Sequence, residues 1–144
     1  MKTVSRQALV PFSAMQMFEL VDDIEKYPEF LPNCKGAQEL ERSELTVVAR
    51  LEVAKGSFEK SFTTRNSNTL GQRIDMVLVD GPFKHLTGSW IFTELNEQAS
   101  KVELNIEFEF SNILTTMAFG AVFHQMAESF VEAFSLRARE VYGR

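Results

Sequence analysis

One cysteine, one tryptophan and two histidines are all that this 144-residue chain spends on those residue types. Cys34 alone excludes an intramolecular disulfide, so stability must come from a packed core, as in a reducing compartment. No base is tied to Cys34 by any motif, and a lone cysteine reads first as a small buried hydrophobe. His85 and His124 stand far apart and assemble no zinc ligand set. There is no glycine-rich phosphate loop, no dinucleotide-binding spacing, no internal repeat and no low-complexity linker. No apolar run approaches the roughly 18 residues that a membrane span needs. The first ten residues are short, mixed and followed by Pro11, unlike a secretory signal. These absences predict a cytoplasmic protein.

An excess of positive charge is missing too. Fifteen Lys and Arg against twenty Asp and Glu leave a net charge of −5. Residues 71–112 hold three basic groups (Arg73, Lys84, Lys101) and seven acidic ones. Sequence-independent nucleic-acid binding requires a basic surface, so only a local patch could serve it.

What is present is apolar bulk. Hydrophobic residues make up 44% of the chain and charged residues 24%, as in a globular protein, and the length suits a single domain over residues 1–144. Thirteen of the aromatic residues are Phe, which fills space without a polar group to satisfy.

The pattern predicts a strand over 3–10, then a short helix capped by Ser13 and a second helical piece over 24–31 interrupted by Pro28. Strands follow: a short one over 37–40, one with Leu45, Val47, Ala49, Leu51 and Val53 on a single face, and one from Phe58 to Arg65. Asn66-Ser67-Asn68 reads as loop chemistry. Val102, Leu104, Ile106, Phe108 and Phe110 alternate with polar residues, giving a strand with one wet face. Ser111 or Asn112 then caps a helix reaching Tyr142, striped by Phe119, Phe123, Met126, Phe130 and Phe134. Gly120 within it predicts a close packing contact or a bend.

Between two alternating strand patterns lies the segment 79–90, Val-Asp-Gly-Pro-Phe-Lys-His-Leu-Thr-Gly-Ser-Trp. Read as a connection, it places Phe83 and Leu86 where a polar turn would sit. Such a segment either closes over a cavity or offers a contact surface. One long helix across a curved antiparallel sheet gives an α+β layer arrangement, with room for a ligand between the layers. Phe83, Leu86, Trp90, Phe119, Phe123, Met126 and Phe130 are the candidate cavity residues, with Met117 and Met126 as adaptable wall. No pair of carboxylates is marked as general acid and base. Only His85 lies near the segment, and it reads as loop surface.

Four stretches carry a family resemblance. Residues 23–34 (Asp-Ile-Glu-Lys-Tyr-Pro-Glu-Phe-Leu-Pro-Asn-Cys), Phe62-Thr63-Thr64-Arg65-Asn66, the segment 79–90 and Phe108-Glu109-Phe110-Ser111-Asn112 occur in that order. Together they resemble the coenzyme Q-binding family with the START-like, helix-grip fold. The C-terminal stretch Ala133 to Tyr142 resembles its bacterial branch, the ribosome association toxin A proteins. The resemblance implies a seven-stranded antiparallel sheet wrapped round the C-terminal helix, with two short helices after the first strand. It implies an internal hydrophobic cavity that binds a quinone or other lipid, with ubiquinone as a possible bound molecule linked to respiration and no cofactor required. It further implies association with the large ribosomal subunit that hinders subunit joining, and a small antitoxin protein as a possible partner. Neither activity is enzymatic; an aromatase or cyclase of the same fold is the alternative, and a general lipid carrier another. A ribosomal contact would need basic residues, with Arg65, Arg137 and Arg139 as candidates, alongside Lys55, Lys60 and Arg144.

Overall fold

The structure, a computed structural model, describes residues 2–143. Seven strands form one antiparallel sheet in the order β1-β7-β6-β5-β4-β3-β2. They are β1 (Lys2–Val10), β2 (Cys34–Arg42), β3 (Thr46–Lys55), β4 (Phe58–Thr69), β5 (Arg73–Asp80), β6 (Phe83–Asn96) and β7 (Ala99–Phe110). The helix α1 (Ala14–Asp22) and a 3-10 turn (Ile24–Glu29) carry the chain from β1 at one edge to β2 at the other. The helix α2 (Ile113–Tyr142) covers the concave face. This is the helix-grip, α+β arrangement expected.

Local chemistry explains the element ends. Ser13 and Gln16 form a reciprocal capping box on α1, satisfying two otherwise orphaned N–H groups. Asn112, rather than Ser111, caps α2 by accepting from the Thr115 N–H at 2.8 Å. Inward residues of β7 pack beneath α2: Leu104 and Phe108 are fully buried, as are Phe119 and Phe134 of the helix. The stripe at spacings of three and four therefore meets the strand face of period two in one core.

Five expectations are corrected here. The segment 79–90 is not a long connection: β5 ends at Asp80, β6 begins at Phe83, and only Gly81 and Pro82 turn the chain. Phe83, Leu86 and Trp90 are buried strand residues, and His85 sits on the strand, half-buried, with Nε2 3.5 Å from Thr87 Oγ1. Asn66-Ser67-Asn68 lies within β4, paired on one side with Val47 and Thr46 and on the other with Met76, Asp75 and Ile74. Ladder bonds on both sides outweigh the local turn preference. Leu45 precedes β3 and is exposed, so the buried face there starts at Val47. Gly120 neither breaks α2 nor answers a tight contact, since a Cβ there would meet nothing nearer than 3.7 Å.

An apolar cavity between the sheet and the long helix

The concave face and α2 do not fill all the space between them. An interior cavity of about 50 Å³ remains, room for roughly three to five waters. Its floor comes from β4 (Phe62, Thr64, Asn66) and β6 (Leu86, Gly88, Trp90), with Leu51, Met76 and Ile106 from the neighbouring strands. Phe123, Phe130 and Phe134 of α2 form the roof, and Ile24 and Tyr27 of the 3-10 turn close one side. Gly88 helps create the space: a Cβ there would lie 2.9 Å from Met76 Cε and 3.2 Å from the Asn105 carbonyl oxygen.

Of the seven residues expected to line a cavity, Leu86, Trp90, Phe123 and Phe130 do so. Phe83, Phe119 and Met126 do not. Phe83 stacks on Phe110 at 5.0 Å and meets Phe119 at 5.9 Å, so these rings fill the space at their end of the sheet. Met126 is fully buried, yet three residues of helix turn it about 60° from Phe123 and away from the cavity. Met117 is 77% exposed at the start of α2 and belongs to no wall.

Residues missed in the sequence include Thr64, Asn66, Tyr27 and Phe134. A period-two count from Phe62 would have put Thr64 and Asn66 on its face. Tyr27 packs edge-on to Phe134 with ring centres 5.2 Å apart. Its hydroxyl donates to the Val21 carbonyl, and burial drives its pKa far above the ordinary phenol value. Cys34 is buried beside this region; burial pushes its thiol up to about 11, and its Sγ lies 3.5 Å from the Gly36 carbonyl oxygen it donates to. Among the described residues, Tyr27 is the sole ionisable side chain in the cavity wall, and it stays protonated. A cavity so lined can hold an apolar molecule, but it offers no group poised to exchange a proton near neutral pH.

The three candidate arginines do not share a surface. Arg65 is exposed on the outer face of β4. Arg137 is held by Glu29 at 2.6 Å and Glu140 at 3.4 Å, with its guanidinium 5.0 Å from the centre of the Phe30 ring. Arg139 is exposed two residues on, a spacing that turns it to another side of the helix. Lys55 and Lys60 are exposed; Arg144 lies outside the described residues. No described helix is long and apolar enough to cross a membrane.

Residues 10–135 match the family described as polyketide cyclase / dehydrase and lipid transport. The chain belongs to that family. It is 54% identical over 143 residues to a protein of Vibrio cholerae named ribosome association toxin RatA, covering 99% of both chains. A more distant relative, named coenzyme Q-binding protein COQ10 homolog B, mitochondrial, from Xenopus laevis, is 27% identical over 97% of this chain and 59% of its own. The family resemblance read from the sequence is thus found in both its branches. Among solved structures, the Zhui aromatase/cyclase of Streptomyces superposes with a TM-score of 0.84 at 18% identity, covering 97% of this chain and 95% of that one. That likeness shows a shared fold and no shared chemistry.

Proposed function

We propose that the protein is a non-enzymatic binder of a hydrophobic, ring-bearing small molecule of the quinone class, held between the sheet and α2. The observation that carries this reading is the apolar cavity whose wall holds no working acid or base. The name of the COQ10 homologue supports a quinone in particular. A cavity of about 50 Å³ is smaller than such a ring, so entry requires the wall to yield. Met76, with its flexible thioether, is the wall residue whose chemistry best suits re-packing. Mass spectrometry of lipid co-purifying from the native host tests the reading. Quinone in the extract, and a raised melting temperature on adding ubiquinone, are expected; finding neither sinks it.

A second reading rests on a separate observation, the RatA name carried by a relative 54% identical along its whole length. On this reading the protein also associates with the large ribosomal subunit in the cytoplasm and hinders subunit joining, with a small antitoxin as a further partner. Of the candidate arginines among the described residues, Arg65 and Arg139 have no carboxylate within ion-pair reach, and Arg65 stands on the outer sheet face. Co-sedimentation with the large subunit at low salt, weakened by Arg65→Glu, is expected. Free sedimentation at the top of the gradient at every salt concentration would refute it.

A further inference from the structure

Thr64 and Asn66 of β4 bring polar side chains to the largely apolar cavity floor; Thr87 of β6 also borders it, with its Oγ1 3.5 Å from His85 Nε2. Thr64 and Asn66 follow Phe62 on the inward face of β4, flanked by Val47 and Ala49 on one side and Met76 and Leu78 on the other. Asn66 is only 8% exposed. The Thr64 hydroxyl donates to Asn66 Oδ1 at 2.8 Å, which fixes one end of the carboxamide. The other end, Nδ2, finds no acceptor among the described residues, although it carries two N–H donors. Nδ2 is not sealed off from the cavity space, so water or a ligand must satisfy it, whereas valine or leucine would pack these positions without that need. Packing alone therefore gives no reason for a carboxamide here.

We propose that Asn66 is the head-group recognition residue of the cavity, its Nδ2 donating to a carbonyl oxygen of a quinone-class ring, with Thr64 as the residue that orients it. This inference rests on the ligand-binding reading above and adds the chemistry that selects the ligand. The remaining wall is mostly apolar, and the Tyr27 hydroxyl is already committed to the Val21 carbonyl, so it accepts any ring that fits. The amide adds direction: a ring carrying a carbonyl at that point satisfies the donor, while a hydrocarbon of the same outline leaves it unpaired. Discrimination of this kind is larger than that given by shape in an apolar pocket.

Duroquinone and durene test it, since they share a tetramethylated six-membered ring and differ by the two carbonyl oxygens. Both are titrated against the whole chain by equilibrium dialysis, and the side-chain amide resonances of Asn66 are followed by ¹H–¹⁵N NMR. Duroquinone is expected to bind at least about tenfold more tightly than durene, the worth of one buried hydrogen bond. The Asn66 amide signals should move with duroquinone and stay in place with durene. Asn66→Leu should abolish the preference by weakening duroquinone alone, and Thr64→Val should reduce it. Equal affinity for both rings in the unmodified protein, with an unmoved Asn66 signal, would overturn the proposal while leaving an apolar binding cavity in place. Binding of neither ring would overturn both. The wild-type comparison and the amide signals decide the matter even if a variant fails to fold.

Discussion

Truncating Phe123 to alanine removes a ring that is 2% exposed and has five phenylalanine rings with centres within 6.0 Å of its own. The cost has two parts, the lost transfer free energy of the ring and the void left behind, together about 3–5 kcal/mol for a buried Phe→Ala change. The upper half of that range is expected here. The ring borders a cavity that already exists, so the wall has no tightly packed neighbour to collapse inward on that side. Edge-to-face pairs with Phe62, Phe83 and Phe108, at 5.7, 4.9 and 4.9 Å, are lost as well. Phe123→Leu keeps most of the bulk and should cost roughly 1–2 kcal/mol. Urea unfolding, followed by the emission of the single Trp90 and by far-ultraviolet circular dichroism, measures both with the slope unchanged. The enlarged void should also take up an aromatic ligand, so benzene should stabilise Phe123→Ala more than the unmodified protein. A loss below about 1.5 kcal/mol, or no benzene-linked gain, would refute the packing argument.

Four further outcomes follow from named contacts. At Gly81, with φ +150°, an added Cβ would fall 2.6 Å from Phe62 Cβ, an atom held by its own backbone; Gly81→Ala should lower stability by roughly 1–3 kcal/mol, and an unchanged melting temperature would contradict that hairpin. Gly120→Ala should raise stability by about 0.5–1 kcal/mol, since its nearest neighbours lie at 3.7 Å; a loss in thermal denaturation would disprove an open site. The Cys34 thiol titrates near 9.0 when unfolded and about 11 when folded. Between those values the unfolded chain has released a proton that the fold retains, so stability falls as pH rises from 9 towards 11; Cys34→Ala should flatten that fall, and an identical pH profile would count against burial of the thiol. Hydrogen exchange should be faster over 113–122 than over 126–140. The latter stretch is tied by Arg137 to Glu29 and by Phe134 to Tyr27, and is followed by Tyr142, whose hydroxyl donates to the Gln16 carbonyl at 3.1 Å, whereas Ile113, Leu114 and Met117 stand in solvent; uniform protection along α2 would contradict this.

The elements most legible in the sequence were those with one wet face. Val102 to Phe110 alternates because β7 has α2 on one side and water on the other, and Phe119 to Phe134 forms a stripe for the same reason. Legibility failed where local and tertiary preferences disagreed. Gly81-Pro82 carries strong turn signals that spread, in the reading, over the strand that follows, although two residues suffice for the turn. Asn66, Ser67 and Asn68 favour turns individually, yet β4 sits between β3 and β5 and bonds to both.

The candidate site was legible only in outline, and the reason lies in what periodicity encodes. An apolar residue at the right phase is known to point inward, but the phase is the same whether it meets a neighbour or a void. Phe119 shares its phase with Phe123, while Phe83, three residues before Leu86, reaches the same face only through the register shift between Phe83 and His85; the way Phe83 stacks on Phe110 then separates packed core from cavity wall. The polar members were harder still, because inward polar residues break the very pattern used to find the strand. Asn66, followed by Ser67 and Asn68, breaks the alternation of β4, and the end of the strand beyond Arg65 therefore reads as a loop. The break in the pattern marks the place where the inner face carries hydrogen-bonding groups among apolar neighbours. In a strand paired on both sides, such a break is informative about binding because it costs stability that packing alone would recover.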